Sequence, residues 1–171
     1  TVALVEQLRA IEPLTMFLSS DLQGDYIAAR RYDEAEAEYR RSLALEGSRE
    51  APVGLAFERM LAQKDADLEA LRELHGQLVQ DSGDSVSPYF RDLGAVLHDR
   101  DAMLAILHKA AADSVYRGDG ELLLLADALG DADLAAAELR KYMESSKGFT
   151  EGHMALGSYW ALWMAPYSDL R

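Results

Sequence analysis

The sequence predicts an all-α protein, an α-solenoid of stacked antiparallel helix hairpins. Three observations predict it. Ala and Leu dominate the apolar residues, Val and Ile are few, and Gly and Pro are scattered singly, a composition that favours helix over strand throughout. Of the 171 residues, 49% are hydrophobic and 27% charged, which suffices for a packed core and is unlike a disordered chain. The third observation is an internal repeat. "AARRYDEAEAEYRR", "AQKDADLEALRELH", "VLHDRDAMLAILHK" and "ALGDADLAAAELRK" each place a small or apolar segment, a polar break containing Asp, and then a helical run. The last Asp of each break is Asp33, Asp67, Asp101 or Asp133, giving spacings of 34, 34 and 32 residues.

Taken in order, Thr1 to Ala10 forms a leading helix that Glu12-Pro13 ends. The first helices of the four pairs are expected over 14–30, 51–63, 88–97 and about 118–129. Ser87-Pro88 gives the third a cap followed by Pro in the first turn. The second helix of each pair starts at its break, where an Asp carboxylate accepts unpaired N–H groups of the first turn and suits the positive end of the helix dipole. Glu36, three residues after Asp33, completes a capping-box-like pair. Apolar positions then recur at matching offsets. Tyr39, Leu107 and Leu139 lie six residues after the Asp, and Leu43, Ala111 and Met143 lie ten after, on one helix face. The second copy fits only with a slip, because Leu71, Leu74 and Leu78 carry its stripe and Glu73 falls in the apolar slot. Small or slim residues, Ala28, Ala62, Val96 and Ala128, stand five before the Asp and let paired helices approach. "DSGDSVS" at 81–87 is the most loop-like stretch. The repeats span about 14–47, 50–80, 87–113 and 117–145 of a single domain covering 1–171, and a last helix at about 149–164 caps the open end.

These residues carry a family resemblance. "RRYDEAEAEYRRSLALEGS", with Leu22 and Tyr26 ahead of it, resembles the tetratricopeptide repeat (TPR), with Gly47 where that family's consensus has Pro. Gln23 replaces the usual small residue, and the later copies lack the Tyr before the Asp. The resemblance implies a right-handed superhelix whose first helices line a concave groove. Groove-facing candidates by that pattern are Gln23, Tyr26, Arg30, Phe57, Arg59, Phe90 and Arg91. The C-terminal half, from "SPYFRDLGAVLHDRDAMLAILHKA" to "APYSDLR", is similar to the repeat region that large bacterial signalling proteins carry after a winged-helix or nucleotide-cyclase domain. A start at Thr1 without Met and an end at "APYSDLR" are expected of a piece cut from a longer protein, although processing can also remove a Met.

Composition and spacing narrow the chemistry. A formal charge of −13 disfavours direct nucleic-acid binding, which needs Lys and Arg to displace phosphate counterions. No apolar run approaches the roughly 18 residues that cross a bilayer and no signal pattern opens the chain, so the segment is expected to be soluble; the sequence leaves its compartment undecided, with the cytoplasm favoured. With no cysteine there is neither disulfide nor thiol nucleophile. His75, His98, His108 and His153 form no His-Glu-x-x-His pattern, although His98 and His108 flank one helix start. His75 and His108 are expected on or near helix surfaces. No nucleophile elbow or phosphate loop is present. The expectation is therefore no catalytic residue, no cofactor and no metal. Trp160 and Trp163 share a face of the last helix beside Tyr159, Tyr167, Met154 and Met164. They cap the stack or anchor a partner or a second copy of the chain. The predicted function is a non-enzymatic module that binds a peptide, a helix or a partner domain. The alternative is a regulatory domain of a bacterial transcription regulator or nucleotide cyclase, acting through ligand binding or dimerisation.

Overall fold

The computed structural model describes residues 2–45, 50–63, 66–116 and 120–145. Among these there are nine α-helices and no strand: α1 (Val2–Ile11), α2 (Met16–Ala28), α3 (Tyr32–Leu43), α4 (Glu50–Leu61), α5 (Leu68–Ser82), α6 (Pro88–Leu93), α7 (Arg100–Ala111), α8 (Gly120–Ala128) and α9 (Ala132–Ser145). None is long and apolar enough to cross a membrane. The described residues fall into two compact units that part after Arg59, inside α4.

In the first unit α2 packs against both α1 and α3. Leu22, Ile27, Ala35, Val53, Ala56 and Phe57 form its core. Gln23, fully buried, donates from Nε2 to the carbonyl of Pro52 at 3.0 Å, tying α2 to the first turn of α4. Glu38 on α3 is also buried and accepts from Arg9 of α1 at 2.6 Å. Arg59 of α4 reaches Glu36 of α3, which also holds Arg40 at 2.8 Å.

In the second unit α8 packs against α9, and α7 against α6 and α8. Leu93, Leu107, Leu122, Leu125 and Leu139 lie at its centre. His75 of α5 is buried, stacks on Phe90 with ring centroids 4.9 Å apart, and donates from Nε2 to the Phe90 carbonyl at 2.7 Å. It therefore belongs to the core and not to a helix surface. Gly94 gives it room, since a Cβ there would stand 2.5 Å from Cε1 of the ring.

Two hairpins share one turn. After α2 the N–H of Arg30 bonds the carbonyl of Ile27, and that of Arg31 bonds the carbonyl of Tyr26. After α8 Gly130 bonds Asp127 and Asp131 bonds Ala126 in the same pattern. This paired 5→2 and 6→1 bonding is the Schellman stop, which needs a left-handed residue at its penultimate position. Arg30 has φ 58° and Gly130 φ 69°. The chain enters the next helix at once, so the residue closing one helix caps the following one.

Those caps correct the sequence register. Asp33, Asp101 and Asp133 lie inside the first turns of α3, α7 and α9. The residues that cap are Arg31, Asp99 and Asp131, two places earlier; in the second copy it is Asp67 itself. The side chain of Asp67 accepts from the N–H groups of Glu69 and Ala70, Asp99 from Ala102 and Asp131 from Leu134. Arg31 makes no such bond, and Glu36 is committed to arginines, so the capping box at Asp33 does not form. Counted from the caps, the second copy no longer slips. The fourth residue on is Ala35, Leu71, Met103 or Ala135, all buried. The eighth is Tyr39, His75, Leu107 or Leu139, and all but the half-buried Tyr39 are in the core.

Candidate functional site

The cleft of the second unit is built from connections between helices. Met60 and Leu61 end α4, and Gln63 and Ala66 follow them. Asp67 starts α5 and so fixes Leu68 and Leu71 one turn in, while Leu97 and His98 lie in the turn before α7. Arg100 and Met103 occupy the first turn of α7, and Leu129 comes from the Schellman turn after α8. Together they line a cavity of about 620 Å³. Its floor is aliphatic and thioether, from buried Leu61, Leu71, Leu97, Met103 and Leu129. Its rim is polar, with His98 and Arg100 exposed and Gln63 half-buried. Such a surface binds apolar groups by excluding water and orients them with a few polar contacts.

A second polar feature lies within the first unit. Ser19, Ser20, Gln23 and Asp25 of α2 are buried, and Ser19 Oγ, Ser20 Oγ, Gln23 Oε1 and Asp25 Oδ2 have no hydrogen-bond partner among the described residues. Burial, reinforced by the charge of Asp21 one turn away, pushes the Asp25 carboxyl up to about 6. The neighbouring Tyr26 donates its hydroxyl to Glu6 at 2.7 Å while Arg31 lies 4.5 Å above its ring. Burial and that bond to Glu6 raise the Tyr26 hydroxyl to about 12.

The partner-binding candidates are scattered over this framework. Gln23, Tyr26 and Phe57 are buried in the first unit, and Phe90 is buried in the second. Arg30 lies beyond the end of α2, exposed in the turn, with its guanidinium 3.2 Å from the Tyr32 hydroxyl. Arg59 is held by Glu36. Arg91 is exposed and donates to the Gly83 carbonyl at 2.5 Å. None of these seven lines the cleft. Trp160 and Trp163, with His153 and the rest of the aromatic helix, lie outside the described residues. His108 pairs with Asp131 at 2.8 Å. The Leu134 N–H, aided by His108, holds the Asp131 carboxyl below its ordinary range. Among the described residues no three His, Asp or Glu side chains cluster as metal ligands do. Sequence reasoning missed the cleft because its lining comes from helix ends and the connections between them, whose neighbours are fixed by tertiary packing.

Comparisons with protein families, with characterised proteins and with solved structures return no match for this chain.

Proposed function

We propose that the chain is a non-enzymatic interaction module of the tetratricopeptide type, in which helical hairpins stack and present a concave surface to a peptide, a helix or a partner domain. The observation that carries this reading is the likeness of two distant hairpins. α2–α3 and α8–α9 share the same turn bonds, the same left-handed residue before the cap and the same buried fourth position. A hairpin used more than once buries an apolar face against its neighbours and leaves a continuous outer surface, an architecture suited to holding extended partners.

The test is an array of short peptides of varied charge and hydropathy probed with the full chain. The expected result is a selected peptide set bound by the native protein and lost in Leu125→Asp, whose charge in the core unfolds the second unit. Signals no stronger than those of the unfolded variant contradict it. A second reading, a regulatory domain that responds to a small molecule, draws support from the cleft, whose volume lies in the range of small-ligand sites.

A further inference from the structure

We infer that the cleft of the second unit is a binding site for a small amphipathic carboxylate, a free acid with an aliphatic tail. This inference rests on the cleft alone and stands whether or not the hairpins form an interaction surface. The side chains of Leu71, Leu97, Met103 and Leu129 bring aliphatic and thioether groups to the cleft. Met60 and Met103 in its lining adapt readily to an irregular tail. The cleft's volume of about 620 Å³ suits a small organic molecule.

The head group is specified by the rim. Arg100 is exposed at the mouth and has no carboxylate partner among the described residues, in a chain with 30 acidic and 17 basic side chains. Its position is built. A Cβ on Gly130 would stand 2.8 Å from Nη2, so the bare glycine turn beside Leu129 is what the guanidinium packs against. The adjacent Asp99 carboxylate is engaged by the Ala102 N–H at the start of α7. A guanidinium fork over an apolar floor matches one carboxylate attached to a hydrocarbon, and His98 on the same rim adds an N–H donor. A polyphosphate or nucleotide suits it badly, because one arginine faces a strongly acidic chain.

The experiment uses the full chain with its methionine methyls isotopically labelled, titrated with octanoate and separately with octan-1-ol. Octanoate is expected to shift the Met60 and Met103 methyl resonances saturably, and to bind about tenfold more tightly than the alcohol. Arg100→Ala should abolish that preference while leaving octanol binding unchanged, and Arg100→Lys should restore part of it. Circular dichroism confirms that both variants fold. Equal affinity for acid and alcohol, unchanged octanoate affinity in Arg100→Ala, or shifts confined to other methionines overturns the proposal. So does Arg100-dependent binding of a peptide ending in Leu when octanoate fails to bind, since the occupant is then a chain terminus.

Discussion

Arg30 and Gly130 hold the same backbone conformation with different side chains, and the difference has a measurable cost. A left-handed residue with a Cβ is strained by about 1 kcal/mol, a strain that glycine avoids. Arg30→Gly should therefore stabilise the first hairpin by up to about 1 kcal/mol in urea unfolding, since the hydrogen bond from Arg30 to the Tyr32 hydroxyl is exposed and adds little. Gly130→Ala should destabilise by about 1 kcal/mol or more, because it adds the same strain and a methyl 2.8 Å from Arg100. Asp25 makes a second residue-level prediction. Its carboxyl titrates near 6 in the folded chain against 3.8 when unfolded, so between those values the native state keeps a proton that the unfolded state has released. The associated stability is complete below about pH 4 and is lost as pH rises through 6. Asp25→Asn, which mimics the protonated acid, should gain on the order of 1 kcal/mol over the wild type at about pH 7. That advantage should vanish near pH 4; a gain that is independent of pH would show that Asp25 is not the titrating group.

At the scale of elements the caps decide register. Asp67→Ala and Asp99→Ala should each cost about 1 kcal/mol, whereas Asp33→Ala, which removes a first-turn charge and no cap bond, should cost less than about 0.5 kcal/mol. Equal losses at all three would restore Asp33 as a cap. The helical class is legible in the sequence, and α2 with α3, α6 with α7 and α8 with α9 pack as the Asp-containing breaks between Ala- and Leu-rich runs predict, whereas among the described residues no such packing joins α4 to α5. The caps are not legible, because the later breaks carry an Asp doublet, Asp65 and Asp67, Asp99 and Asp101, or Asp131 and Asp133, and both members suit a helix start. Burial chooses between them. From Asp65 the fourth and eighth positions would be Glu69 and Glu73, while from Asp67 they are Leu71 and His75. From Asp101 they would be Ala105 and Lys109, while from Asp99 they are Met103 and Leu107. The acceptable member is the one whose helix can bury its stripe. The burial of His75 escapes sequence reading for a related reason. It depends on Gly94, nineteen positions away, leaving space for the ring, and Gly94→Ala should cost roughly 1–3 kcal/mol through that clash.

At the scale of the whole molecule, the acidic excess and the helical repeat are visible from composition and spacing, but the cleft is not. Residues from three separate stretches, 60–71, 97–103 and 129, line it, with the cap at Asp67 setting the start of the helix that carries Leu71 and the turn at Gly130 following Leu129. Gln23, Tyr26, Phe57 and Phe90, groove candidates drawn from the tetratricopeptide resemblance, are buried. Gln23 is the instructive case, because its large amide is accommodated in the core by donating to the Pro52 carbonyl. The proposed stacking depends on α2–α3 and α8–α9 being copies of one hairpin. The most direct test is solution NMR on the labelled chain, reading φ at residues 30 and 130 and the couplings transmitted through the turn hydrogen bonds. Two copies of one hairpin require positive φ at both residues, with couplings from the Arg31 nitrogen to the Tyr26 carbonyl and from the Asp131 nitrogen to the Ala126 carbonyl. A negative φ at Arg30, or a coupling present in one turn and absent from the other, would contradict it.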